Sequence, residues 1–284
     1  MELPKFILMK KIKEYLEEDI GYGDITTNAL IKGSGPNKKA QILTREEGIV
    51  AGTEEISILF DFLNVKNISK KNDGDEIQKN DVIIELEGPV KGILGGERTA
   101  LNLLMRMSGI ATATRKLVEQ VQRINPAIRV ACTRKTTPGF RYFEKKAVSV
   151  GMGDTHRFRL DDMILIKDNH LKLIPNIPKV IELVKQNVGF SKRVEIEVAS
   201  AEQALVAAKA KVDIIMLDNF SIAEIQRTLE LLKQNNLRNQ VILEISGNIT
   251  PENILNYVKL DIDVISLGYL THSVKSLDLT LEIL

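Results

Sequence analysis

From about residue 128 onward, short apolar runs alternate with stretches of helical periodicity, and this alternation limits the fold more than any other feature of the chain. The runs are Ile128–Cys132, Met163–Ile166, Val194–Val198, Ile214–Leu217, Val241–Ile245 and Val264–Leu267. Between them, Ala201–Lys209, Ile222–Gln234 and Pro251–Val258 have helical spacing. Strands separated by helices pair in parallel, because a parallel connection needs a crossover. Six or seven such units in roughly 150 residues suit a closed α/β barrel or an open doubly wound sheet. The strand ends favour the barrel. Five of the six runs lead directly into a polar, charged or glycine-bearing cluster: Thr133-Arg134-Lys135, Lys167-Asp168-Asn169-His170, Asp218-Asn219, Ser246-Gly247-Asn248 and Gly268-Tyr269. Barrels build their sites from the carboxyl ends of several strands at once, whereas an open sheet uses fewer of them.

The first hundred residues read as mixed structure. Helical spacing is expected over Phe6–Glu17 and Thr53–Leu63, a strand over Asp81–Glu87, and loops at Glu17–Asp24 and Gly33–Pro36. Gly96–Arg123 reads as two helices broken near Ser108-Gly109.

With 284 residues, 44% hydrophobic and 27% charged, the chain can bury a sizeable core without covalent staples. Its single cysteine, Cys132, has no partner for an internal disulfide. Met1–Lys13 carries Glu2, Lys5, Lys10, Lys11 and Lys13 and no long apolar run, so neither a signal peptide nor a membrane span is read there. The cytoplasm is the expected location. A balance of 39 basic against 38 acidic residues gives no global field for nucleic acid, so any anion site must come from local clustering.

Such clustering exists. In Val194–Val198 the period of two puts the valines and isoleucine on one face and Glu195 with Glu197 on the other. In a barrel the two carboxylates point inward and need cations, supplied by Lys or Arg or by a divalent metal. A half-exposed strand with a solvated acidic face is the plainer alternative. Of the basic residues between Thr133 and Lys172, Lys145 and Lys146 read as a solvated helix face. Arg134, Lys135 and Lys167 instead follow directly on apolar runs and suit an anionic ligand. The histidines, His156, His170 and His272, lack zinc-site spacing. The Ser246–Pro251 and Gly268–Ser273 segments join strand ends to helix starts after the last two strands, where barrels commonly bind phosphate. No Walker or GxGxxG fingerprint is present.

These segments carry a specific resemblance. Thr133–Gly139, Gly151–Arg157 and Ile164–His170 resemble the motifs of quinolinate phosphoribosyltransferases, as do Gly23–Thr27, Glu97–Asn102, Ser108–Thr112, Leu217–Phe220 and Leu270–Ser273. The resemblance implies an N-terminal α/β sandwich domain (1–108, joined by 274–284) and an incomplete, seven-stranded α/β barrel (109–273) of the type II phosphoribosyltransferase kind. It implies quinolinate and phosphoribosyl pyrophosphate as substrates, magnesium and no organic cofactor, and a homodimer or hexamer with shared sites. On the matching motifs, Arg98 would come from the neighbouring subunit. Arg134, His156, Arg157 and Lys167 would complete a cationic pocket for quinolinate's two carboxylates, and Lys135 and His272 would face the pyrophosphate. Glu197 and Asp218 would hold the ribose hydroxyls and magnesium, and Ser246, Gly247, Asn248 and Gly268 the 5′-phosphate. Three positions depart from the family pattern: Met152 within the glycine triplet, Thr155 for the usual asparagine, and Asn248 for the last glycine of Ser-Gly-Gly. Asparagine accepts positive φ better than most residues.

Other readings compete. A related phosphoribosyltransferase binding nicotinate needs to hold only one carboxylate, which makes the full set of cations excessive. A paralogue found with molybdenum transport genes shares the Thr-Arg-Lys segment but lacks Lys-Asp-Asn-His. Lys167 could instead be the Schiff-base lysine of an aldolase-like barrel. A sugar-phosphate-binding regulator without activity is the non-enzyme alternative.

Overall fold

The computed structural model describes residues 3–284; Met1 and Glu2, including the charge expected at Glu2, lie outside them. Contacts divide the chain into two units. One runs to Arg115 and adds Pro138–Met152 and Val274–Leu284; the other consists of Lys116–Thr137 and Gly153–Ser273.

In the first unit a four-stranded antiparallel sheet has the order Leu279–Ile283, Asn37–Thr44, Val82–Pro89, Lys66–Ser69. In Val82–Pro89, Ile84 and Leu86 are buried while Glu85 and Glu87 face outward, the alternation of a half-buried strand. Helix Lys5–Ile20 buries Leu8, Ile12 and Leu16 at i, i+4, i+8. Helix Thr53–Phe62 starts where the Asp73 carboxylate accepts from the Gly52 and Thr53 amides, both at 2.9 Å, which satisfies two orphan donors of the first turn.

Two expectations are corrected here. Val90–Gln122 is one continuous helix of 33 residues, without a break at Ser108-Gly109. Gly109 serves close approach instead: a Cβ there would lie 2.2 Å from the Lys275 carbonyl oxygen. Lys145 and Lys146, on helix Arg141–Val150, are buried and not a solvated face. Lys146 Nζ donates to Glu54 Oε2 and Glu55 Oε1, each at 2.8 Å, with Asp73 Oδ2 at 3.7 Å. Its partners lie on sequence-distant elements, so the local charge run could not reveal them. Burial raises the pKa of Glu55, opposed by Lys146. Burial would lower that of Lys146, but the acids around it raise it.

The second unit holds six parallel strands in the order Arg129–Cys132, Val264–Leu267, Ile242–Ser246, Ile214–Asp218, Val194–Val198, Ile164–Ile166. The seventh place is taken by a single parallel bridge between Ala131 and Asp154. An extended run cannot continue beyond it, because His156 has φ 50°, and the Asp154 side chain turns the chain by accepting the His156 amide at 2.8 Å. Helices Ala201–Lys209 and Ile222–Gln234 are as expected, capped by Ser200 and Ser221. Pro251–Val258 is not an α-helix; it holds only the short 3-10 turn Ile254–Asn256. There the Asn253 carboxamide accepts from the Thr250 amide and donates to the Asn248 carbonyl, both at 2.9 Å, side-chain bonds that compete with helix formation.

Candidate active site

Lys167, Glu197, Asp218, Ser246 and Gly268 stand at the carboxyl ends of the parallel strands. Lys167 follows Ile164–Ile166, and its Nζ donates to Glu197 Oε1 of the neighbouring strand at 2.6 Å. Thus one of the two inward carboxylates finds a lysine. His170, three residues on, accepts the Lys167 amide at 2.8 Å through Nδ1, a structural capping role. One strand further, Asp218 accepts from the Asn219 side chain at 2.9 Å and is exposed.

The two small-residue loops interlock with these strand ends. Asn248 donates from Nδ2 to Asn219 Oδ1 at 2.9 Å, and the Asn219 amide donates to the Ser246 carbonyl at 2.9 Å. Gly247 has φ 89°, and a Cβ there would lie 2.3 Å from Asn219 Oδ1, so only glycine fits. Asn248 takes φ 51°, the positive-φ conformation anticipated for it. A Cβ on Gly268 would lie 2.7 Å from His272 Nε2 and 3.1 Å from Lys135 Cδ, which shows how closely these two side chains approach that loop. Thr271 Oγ1 fastens the Lys135 carbonyl at 2.7 Å.

Arg134 and Arg157 form the cationic centre. The Nε of Arg134 is buried without a hydrogen-bond partner. Arg157 is 8% exposed, and burial followed by the charge of Arg134 holds its pKa below the usual guanidinium value, with Glu195 and Glu197 opposing. A buried donor left unpaired is costly, and two guanidiniums side by side repel; an anion relieves both. Arg98 lies exposed on helix Val90–Gln122 in the first unit.

Below this level the barrel is polar. The other inward carboxylate, Glu195, is fully buried, and its Oε2 lies 3.3 Å from His156 Nε2. Glu244 Oε2 lies 3.2 Å from the same nitrogen. His156 is thus engaged by two glutamates. Burial would lower the pKa of His156, but the contacts to both glutamates raise it to about 10; burial also raises that of Glu195. The Arg157 amide approaches His156 Nδ1 at 2.7 Å, a contact that opposes the second ring proton favoured by the two carboxylates. His156, Arg157 and Glu244 also line a cavity of about 700 Å³ bounded by Arg129, Ile214 and Ile242, at the amino ends of the strands. Glu244 was missed in the sequence, although a single acid between Leu243 and Ile245 in a buried run was a usable signal.

The strand-end lysines, paired guanidiniums, carboxylates and glycine-bearing loops define an α/β-barrel enzyme built to hold a polyanionic substrate. Comparison with known proteins names the family. Residues 24–108 match the N-terminal domain, and 110–282 the C-terminal domain, of quinolinate phosphoribosyl transferase. The chain is 47% identical over 276 residues to a probable carboxylating nicotinate-nucleotide pyrophosphorylase of Methanothermobacter thermautotrophicus, covering 97% of this chain and 99% of that one. It is 35% identical to the human carboxylating nicotinate-nucleotide pyrophosphorylase, covering 99% and 93%. The crystal structure of NadC from Streptococcus pyogenes superposes with a TM-score of 0.92 at 38% identity, over 100% of this chain and 99% of that one. The chain belongs to the quinolinate phosphoribosyltransferase family.

Proposed function

We propose that the chain transfers the phosphoribosyl group of phosphoribosyl pyrophosphate to the ring nitrogen of quinolinate, with loss of carbon dioxide, yielding nicotinate mononucleotide and pyrophosphate for NAD biosynthesis. The carrying observation is Arg134 beside Arg157, with the Arg134 Nε buried and unpaired. In this reading the two arginines and Lys167 hold quinolinate's carboxylates, with Arg98 supplied by the neighbouring chain of a cytoplasmic homodimer. The exposure of Arg98 supports that donation. Lys135 and His272, both against the Gly268 loop, face the pyrophosphate. Ser246, Gly247, Asn248 and Gly268 present main-chain groups to the 5′-phosphate.

Departing pyrophosphate leaves an oxocarbenium-like ribosyl carbon, which the pyridine nitrogen attacks. Catalysis here is positioning and charge stabilisation more than base chemistry. Lys135 and His272 take up the negative charge that develops on the leaving group. After attack, the cationic ring nitrogen stabilises the electron pair that remains on C2 when its carboxylate leaves as carbon dioxide, and a proton taken up from water at C2 completes nicotinate mononucleotide. Glu197 and Asp218 offer hard oxygen donors on adjacent strands, a set that fits magnesium held jointly with substrate oxygens. When bound, magnesium would neutralise pyrophosphate charge.

The test follows nicotinate mononucleotide formation from quinolinate, phosphoribosyl pyrophosphate and magnesium, beside Arg134→Ala and with nicotinate replacing quinolinate. Product from the native protein with quinolinate alone supports the reading. Folded, dimeric protein that makes none overturns it. The competing lysine chemistry predicts a borohydride-trapped adduct at Lys167, whose Nζ instead lies 2.6 Å from Glu197 Oε1.

A further inference from the structure

The register of the parallel sheet sets Asp218 beside Ser246, so the loops that follow these two strands meet. Asn219 lies between them. Its amide donates to the Ser246 carbonyl at 2.9 Å, and its φ of 59° is in the left-handed region that asparagine tolerates. Because Gly247 has no Cβ, the Asn219 carboxamide has room to lie across the phosphate loop.

That carboxamide has one workable orientation. An ionised carboxylate accepts and cannot donate, so the Asn219 amino group must face Asp218, where Nδ2 lies 2.9 Å from Oδ2. Oδ1 then faces the other way and accepts from Asn248 Nδ2 at 2.9 Å. Asn253 holds the loop from its far side. Its Oδ1 accepts from the Thr250 amide, which can only donate, and its Nδ2 donates to the Asn248 carbonyl, both at 2.9 Å. The polarity of the bonds from the loop to Asp218 is therefore fixed by their ends and not by a choice of amide flip. Asn248 stands where the family pattern has glycine, and glycine has no Nδ2 to offer. The link is a property of this chain.

We propose that Asn219 is a positioning residue that couples the two ends of the phosphoribosyl group. It holds Asp218 Oδ2, so that the other carboxylate oxygen meets the ribose hydroxyls at a set angle, and through Asn248 it holds the loop that takes the 5′-phosphate. A phosphate seated on that loop thereby steadies the aim of Asp218. The inference rests on the proposed roles of Asp218 and of the Ser246–Asn248 loop.

Variants of the full chain separate the possibilities. Asn219→Gly keeps the positive φ and removes the carboxamide, which separates the side chain from the backbone turn. Asn219→Asp keeps an acceptor for Asn248 but sets a second carboxylate against Asp218. Both should raise KM for phosphoribosyl pyrophosphate about tenfold or more, with KM for quinolinate within about twofold. Asn248→Gly should raise it about threefold in the native chain and less than about 1.5-fold in the Asn219→Gly chain, because its bond runs through Asn219. A native KM in folded Asn219→Gly, an equal rise for both substrates, or equal effects of Asn248→Gly in the two backgrounds overturns the inference. Asp218→Asn tests the underlying reading, and an unchanged KM for phosphoribosyl pyrophosphate there sinks the role of Asp218 itself. Should the Asn219 variants fail to fold, calorimetric binding of ribose 5-phosphate and of inorganic phosphate to Asn248→Gly decides. A loss of affinity confined to ribose 5-phosphate supports the coupling, and any other pattern overturns it.

Discussion

Lys167 and Glu197 face each other from neighbouring strands, Nζ to Oε1 at 2.6 Å, with the lysine side chain 44% exposed. A pair this open to water adds at most about 1 kcal/mol to stability. Its value lies in holding two opposite charges ready where substrate charge develops. Lys167→Met should therefore lower kcat/KM for quinolinate by about 100-fold or more. Its thermal midpoint should stay within about 3 °C of the native one. A large drop in midpoint with modest kinetic loss would make the pair structural.

The buried cluster of Lys146, Glu54, Glu55 and Asp73 has the opposite balance. Lys146→Met leaves Glu55 fully buried without its cation, at an expected cost of about 3–5 kcal/mol. Adding Glu55→Leu should recover most of that loss in urea unfolding. The penalty also depends on pH. Burial already raises the pKa of Glu55, and without Lys146 it rises further. A carboxyl whose folded pKa is raised favours the folded state at low pH and loses that contribution as pH rises through the folded value. The single variant should therefore close part of the gap to the native protein as pH falls. A pH-independent gap would refute this.

Tyr15 predicts the alkaline limb of stability. Its pKa is raised from 10.0 to about 12, by burial first and then by Glu14 and Glu18. The contribution is fully present below about pH 10, where the unfolded tyrosine begins to ionise, and is lost as pH rises through about 12. Tyr15→Phe removes this titration, so its stability should fall less steeply across that window. Tyr142, whose pKa is also raised, keeps part of the slope. Parallel curves for the two proteins would show that Tyr15 titrates normally.

Two positive-φ residues differ in how well they suit that backbone. Met152 has φ 70° and Asn248 φ 51°. Left-handed backbone costs an ordinary L-residue roughly 1–2 kcal/mol, and asparagine much less, because its side chain hydrogen-bonds locally. Met152→Gly should thus raise stability by up to about 1 kcal/mol, after the greater chain entropy of glycine is set against the relief. Asn248→Gly should change stability little or lower it, since it deletes the bond to Asn219. Chemical denaturation of the two variants checks the contrast.

Much of the fold was legible because its signals are local. Ser200 and Ser221 cap helices whose bounds follow directly from them, and Val194–Val198 shows its inward glutamates in its own alternation. The strand-end cations were legible for the same reason: each stands next to the apolar run that positions it. What could not be read depends on partners far along the chain. The burial of Lys146 is decided by Glu54 and Glu55, and the need for glycine at 109 by the carbonyl of Lys275. The place of His156 depends on Glu244, and periodicity does not encode a contact across 88 positions.

The edge strand Leu279–Ile283 pairs with Asn37–Thr44, and the Leu277 amide donates to the Met105 carbonyl. Synthesis runs the other way. The first unit is translated early yet lacks its edge strand until Leu279–Ile283 has left the ribosome, whereas all six parallel strands of the barrel precede that segment in the chain. The part of the protein made first is thus the part that must finish last. Until then Asn37–Thr44 presents a bare edge to whatever else is in the cell.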